Sequence, residues 1–214
     1  MIDDIPAFIA ANTRVLSPPH TPELRLHLAD NAVALWQLTE DELGALGLPP
    51  PFWAFAWAGG QAIARYILDQ PALVQGKTVL DVASGSGLVA IAAMRAGAFS
   101  ARAIDLDPFA TQACLLNAAL NAVSIEVETG NALLQPAAAQ VILVGDLFYE
   151  KDLAAALLSW LQAQAAAGKT VLIGDPGRAY LPKDALVRVA EYAIPVSRDL
   201  EDCEVKRTAV WRLA

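Results

Sequence analysis

From Phe52 onward the chain alternates short apolar runs with helical stretches, the pattern of a βαβ sheet. It predicts strands at 78–82, 101–105, 125–128, 141–145 and 170–174. Helices are predicted at 60–68, 88–96, 108–121, 152–166 and 183–191. Two further apolar runs, 191–196 and 205–213, are separated only by a short acidic gap, Asp199-Leu200-Glu201-Asp202. A parallel crossover needs about a dozen residues or more, so this last pair is expected to form a hairpin. The expected fold is therefore α/β: a doubly wound, seven-stranded sheet, mostly parallel, ending with one antiparallel strand. Residues 1–50 read differently, with helical pieces at 4–11 and 40–46, an alternating run Leu24-Arg25-Leu26-His27-Leu28, and scattered prolines. Pro49-Pro50-Pro51 closes this part, because successive prolines cannot continue a helix. Two regions are expected: an N-terminal extension over 1–50 packed on the core, and a cofactor-binding domain over 51–214.

The first strand runs into Asp81-Val82-Ala83-Ser84-Gly85-Ser86-Gly87, a turn of small residues ahead of a helix. Such a turn lets the backbone approach a ligand closely. Asp105, 24 positions after Asp81, ends the next strand, where a carboxylate can accept both hydroxyls of a ribose. The spacing is D-x-A-x-G-x-G, not the G-x-G-x-x-G of a pyrophosphate reader. An anionic Asp81 at the head of the turn suits a ligand carrying an ammonium group, such as the amino-acid end of S-adenosylmethionine. The methyl group of Ala83 is expected to fit through a negative φ.

Composition narrows the partners. A net charge of −8 argues against nucleic acid, whose phosphates need a basic surface, and suits a basic, lysine-bearing partner or simple solubility. No run approaches 18 apolar residues, and the start of the chain, with Asp3 and Asp4, lacks the basic region of a signal peptide. No membrane association and a reducing, cytoplasmic setting are expected. Cys114 and Cys203 are too few for a disulfide framework or a zinc ribbon, and Cys114 reads as core. His20 and His27 read as surface or packing residues, and no metal site is expected.

Several stretches flank the turn. Pro51-Phe52-Trp53-Ala54-Phe55-Ala56-Trp57-Ala58-Gly59-Gly60-Gln61 places aromatic faces, which attract cations, next to two glycines. Aromatic packing of a lid on the core is the plainer alternative. Asn117 and Asn121, one turn apart on a helix, read as structural. Asn131 in Thr129-Gly130-Asn131-Ala132 reads equally as an adenine-amino acceptor or as a turn residue. Gly145-Asp146-Leu147-Phe148-Tyr149-Glu150 follows the fourth strand, at the sheet edge where ligands bind.

These motifs carry a resemblance. Residues 79–87 resemble motif I of the Rossmann-like methyltransferases, (D/E)-x-G-x-G-x-G, with Ala83 where that pattern has its first glycine. Asp146-x-x-Tyr149 is similar to the (D/E)-x-x-(Y/F) motif of the seven-strand lysine methyltransferases. With Trp57-Ala58-Gly59-Gly60-Gln61 and Gly174-Asp175-Pro176-Gly177-Arg178, the likeness sharpens to the electron transfer flavoprotein beta-subunit lysine methyltransferases, over about residues 50–178.

The resemblance implies a Rossmann-like fold and S-adenosylmethionine as methyl donor, released as S-adenosylhomocysteine. It implies transfer to lysines of that flavoprotein subunit, by an enzyme expected to be monomeric. Asp81 would take the donor's amino group, Asp105 its ribose, and Asn131 its adenine. Trp57, Gly59, Ala83, Ser84, Gly85, Gly87, Leu106 and Gly145 would complete the donor site, with Asp146 touching it too. Asp146 and Tyr149 are the expected catalytic pair: Asp146 would aim the amine while water takes its proton, and Tyr149 would line the lysine channel. Trp53, Phe148, Glu150 and Arg178 are expected to contact the substrate. Other outcomes left open are methylation of a ribosomal protein or a small amine, and a non-catalytic binding module. A nicotinamide dehydrogenase is disfavoured by Asp81 and the terminal hairpin.

Overall fold

The computed structural model describes residues 2, 4–29, 44, 49–196 and 204–214. The helix expected at 40–46, apart from Gly44, and the acidic run 199–202 with Cys203 lie outside the described residues. Helix α1 (Ile5–Ala11) starts at Asp4, whose carboxylate accepts from the Ala7 N–H at 2.9 Å. Strands β1 (Arg14–Leu16) and β2 (Leu26–Leu28) then pair as an antiparallel ribbon.

The main body alternates as the apolar pattern predicts. Its elements are α2 (Ala58–Asp69), β3 (Thr78–Val82), α3 (Leu88–Arg95), β4 (Ser100–Asp105), α4 (Pro108–Leu120), β5 (Glu126–Thr129), β6 (Val141–Gly145), α5 (Lys151–Ala166) and β7 (Thr170–Asp175). Strands β8 (Leu186–Pro195) and β9 (Val205–Leu213) complete a seven-stranded sheet of order β5-β4-β3-β6-β7-β9-β8. Strands β3 to β7 are parallel, and β9 runs antiparallel to both β7 and β8. The antiparallel strand is thus one place in from the edge.

Alternate residues of each central strand face opposite layers. Val79, Val141 and Leu143 pack with Ile63, Ile67 and Ile91 beneath α2 and α3. Leu80, Val82, Ile142 and Val144 pack with Leu157 and Leu161 of α5 on the other face. Asp81 therefore points to the α2–α3 side. The chain order reverses across β3: β4 and β5 lie on one side of it, β6 and β7 on the other. That reversal is where a doubly wound sheet opens a ligand crevice.

One predicted element is corrected. Residues 183–191 are not a helix: a short 3-10 turn at Lys183–Ala185 leads directly into β8. The pairing of β8 with β9 shifts register between Arg188 and Ala190, a bulge that breaks strict alternation. Leu186 therefore packs on the α5 side while Val189, Ala190, Tyr192 and Ile194 join the core beneath α2, so the apolar positions do not alternate along the strand.

The two asparagines of α4 tie the N-terminal ribbon to the turn after β3. Asn117 donates to Ser86 O at 2.8 Å and accepts from the His27 N–H at 2.7 Å. Asn121 accepts from the Arg25 N–H and donates to Arg25 O. Replacing Asn117 with alanine strands a buried donor and acceptor. A loss of about 2 kcal/mol is expected, read in a thermal melt as a fall of about 6 °C. A smaller change would show that water takes over those bonds. His27 Nδ1 lies 3.1 Å from the Thr13 hydroxyl, and the His20 ring packs edge-on against Tyr192, so both histidines serve packing.

Candidate functional site

Two helices begin at the crevice without a side-chain cap of their own. Helix α2 starts after Trp57 and α3 after Gly87, and neither residue has a side chain that can accept from the first turn. Carboxylates from the sheet supply what is missing. Asp81, on β3, accepts from the Ala90 N–H in the first turn of α3 at 2.9 Å. Asp146, just past β6, accepts from the Gly60 N–H in the first turn of α2 at 3.1 Å. Each acid sits at the positive end of a helix, where a negative charge is stabilised.

Between these helix starts lies a narrow crevice that opens to solvent. Its floor is Ala83, Ser84, Gly85 and Ser86. Asp81, Gly145 and Asp146 form one wall, and Phe55, Trp57, Gly60, Leu88 and Val89 the other. Of the residues expected to hold a cofactor, Trp57, Asp81, Ala83, Ser84, Gly85, Gly145 and Asp146 line this space. Phe55, Gly60, Ser86, Leu88 and Val89 were not foreseen. Each is next to or close to a residue that was, and which neighbour faces inward depends on turn geometry.

The lining carries two acids and no Lys, Arg or His. Such a wall suits a cation and repels a pyrophosphate. Burial and the nearby Asp105 charge push the Asp81 carboxyl well above its usual range, while the Ala90 N–H pulls it back. Burial likewise raises Asp146, to about 6, against the opposing pull of Arg178. Positive charge entering the crevice would offset both costs. The residues present therefore fit a sulfonium nucleoside.

Asp105 braces the floor: one oxygen accepts from the Gly85 N–H at 2.8 Å, the other from the Asp107 N–H at 3.0 Å. Each carboxylate oxygen can accept a further bond, so ribose hydroxyls remain within its capacity. Asp107 caps α4 through the Phe109 N–H. Leu106 lies outside the crevice and is 71% exposed. Asn131 is also outside it; its side-chain oxygen accepts from the Leu133 N–H at 2.9 Å and has a second lone pair free for another donor. That bond caps the short 3-10 turn at Ala132–Leu134.

Several expectations are corrected by packing. Gly59 does not face the crevice: a Cβ there would lie 2.1 Å from the Gly174 carbonyl oxygen, so its job is to let α2 press on β7. Gly87 has φ +77 and packs against Cys114, where an added Cβ would meet Sγ at 3.0 Å. Cys114 approaches the Ser84 hydroxyl at 3.4 Å from below the floor, and burial makes it an inert thiol. Trp53 is buried and stacked on Phe109, and Phe148 is fully buried among the α5-side core residues.

At the mouth, Arg178 donates to Asp146 Oδ1 at 2.8 Å, and its guanidinium lies 5.5 Å from the centre of the Trp57 ring. Asp175 accepts from the Gly177 and Arg178 N–H groups and so fixes the backbone that carries this side chain. Tyr149 is 50% exposed, and burial with Glu150 beside it pushes the phenol up, so it stays protonated. Glu150 is exposed at the start of α5.

The floor also stores strain. Ala83 has φ +51 and not the negative value expected, and Asp146 has φ +56. Aspartate tolerates this left-handed region better than alanine does. Ala83→Gly is expected to raise stability by about 0.5 kcal/mol after the entropy cost of glycine. The check is a thermal melt, with a rise of about 2 °C. A fall would mean that the methyl group packs usefully.

Comparison with known proteins gives a consistent picture. The ribosomal protein L11 methyltransferase (PrmA) family model matches residues 63–147. The electron transfer flavoprotein beta subunit lysine methyltransferase of Mus musculus is 40% identical over 213 residues, covering 96% of this chain and 82% of that one. Among solved structures, the ribosomal protein L11 methylase of Lactobacillus delbrueckii subsp. bulgaricus superposes with TM-score 0.51 at 22% identity, over 75% of this chain and 81% of its own. A putative methyltransferase complexed with SAH gives TM-score 0.53 at 10% identity, over 74% and 50%. Both share the fold.

Proposed function

The chain belongs to the family of electron transfer flavoprotein beta subunit lysine methyltransferases, and from that premise we propose that it methylates lysine side chains of such a subunit. The methyl donor is S-adenosylmethionine. The observation that carries the proposal into this site is Asp146, a buried carboxylate between the crevice and its mouth. When bound, the donor supplies a methyl group on a sulfonium, and its carbon–sulfur bond breaks with the electron pair left on sulfur.

The chain's own residues orient and manage charge. Asp81 and the backbone of Ala83 to Ser86 would hold the amino-acid end, and Asp105 the ribose. Alignment of amine and methyl group supplies a large share of such a barrier, on the order of 7 kcal/mol. A lysine ammonium has no lone pair, so it must lose a proton, which passes to water. Asp146 would aim the amine, and the protonated Tyr149 would hydrogen-bond beside it. No described helix is long and apolar enough to cross a membrane.

The test is incubation of the chain with isotopically labelled donor and an electron transfer flavoprotein beta subunit, followed by mass spectrometry of its lysines. Methyl-lysine is the expected product; donor binding without product would leave only a binding module. The ribosomal alternative is weaker, because the L11 family match ends at residue 147, before Tyr149 and Arg178, and so covers the donor half.

A further inference from the structure

Asp146 presents a difficulty that the lysine reading leaves open. A lone carboxylate beside the acceptor would hold it as the ammonium, which cannot attack. The structure offers a counterweight. Arg178 is largely buried, at 19% side-chain exposure, and its guanidinium is bonded to Asp146 Oδ1 while lying on Trp57. The other Asp146 oxygen is taken by the Gly60 N–H. The carboxylate thus has its balancing charge and its hydrogen bonds before any substrate arrives.

We propose that Arg178 is a positioning residue that neutralises Asp146 in place of the acceptor lysine, so that the lysine stays at the crevice mouth as the free amine. This rests on the lysine methyltransferase reading given above. Two features keep the guanidinium in place: the Trp57 face, and the Asp175 carboxylate that grips the Arg178 and Gly177 N–H groups. The other charges facing the pair are few. Asp175 approaches from β7, with Lys183 beyond it. Tyr149 stands at the head of α5, within reach of Glu150, Asp105 and Arg178. The helix α2 contributes the Gly60 N–H.

With Arg178 gone, the carboxylate would draw its balancing charge from the lysine. One proton would then stay within the Asp146–lysine pair until higher pH, either as an ammonium or as an acid bonded to the amine lone pair. The proton that must leave before attack goes to water in both proteins; Arg178 changes the pH at which it goes.

The experiment is the pH profile of kcat/KM on the flavoprotein beta subunit for the parent chain, Arg178→Gln and Arg178→Lys. In Arg178→Gln the acidic limb is expected to move up by about one pH unit, a loss of about tenfold at pH 7 that largely disappears by about pH 9.5. Arg178→Lys keeps the charge and should follow the parent profile. Binding of S-adenosylhomocysteine, followed by calorimetry, should be unchanged in both. A loss by one constant factor at every pH would overturn the proposal, as would faster turnover at low pH, which would make Arg178 a plug. If Arg178→Gln does not fold, Arg178→Lys still decides, since a displaced acidic limb there contradicts the assignment. Absence of methyl-lysine with the parent chain would instead overturn the underlying reading, and this proposal with it.

Discussion

Replacing Asp146 with asparagine is expected to lower turnover by about 100-fold while S-adenosylhomocysteine binds within about threefold of the parent chain. The substitution changes charge and little else. Asparagine accepts the φ of +56 as readily as aspartate, and its oxygen can still accept from the Gly60 N–H. What disappears is the partner of Arg178 and the anion that aims the acceptor. The floor of the crevice, from Ala83 to Ser86, and Asp81 are left in place. Calorimetry and mass spectrometry on one preparation separate the two effects. Equal losses of binding and turnover would mean that Asp146 holds the donor and does not act on the acceptor.

Gly59→Ala is expected to be among the most damaging single methyl groups that the described residues could receive. Its Cβ would sit 2.1 Å from Gly174 O and 2.5 Å from Asp146 Oδ2, and the nearest of these is backbone that cannot rotate away. Alanine favours a helix over glycine by about 1 kcal/mol, which offsets only part of the clash. A net loss of about 4 kcal/mol follows, seen as a melting temperature lower by about 10 °C. The displaced α2 would also withdraw Gly60 from Asp146, so residual folded protein should turn over poorly. An unchanged melt would show that α2 does not rest on β7 as described.

The central parallel strands β3, β6 and β7 were readable because they are nearly continuous apolar runs, and Asp81 and Asp105 stand near strand ends where chain reversal opens the crevice. The strand at 186–195 was not, because a bulge puts Leu186 and Ile194 on opposite layers and breaks the period of two. Residue type is ambiguous at Trp53 and Phe148: aromatic rings suit both cations and cores, and here both rings pack in the core, against Phe109 and under α5. The capping of α2 and α3 by Asp146 and Asp81 was invisible for a different reason. Capping rules search the few residues before a helix, while these acids come from strands up to 86 positions away. Arg178 was foreseen near the substrate, but its bond to Asp146 spans 32 positions and leaves no local pattern.

The main-chain contact between α2 and the ends of β6 and β7 has one more consequence. With Gly59, Gly60, Gly145 and Gly174 meeting almost atom to atom, the gap between the two walls is a fixed width, set by peptide units and not by adjustable rotamers. In this chain a side chain added at that depth would meet main-chain atoms before it could reshape the gap. Variation is left to the outer ring, where Phe52 and Tyr180 stand largely in solvent.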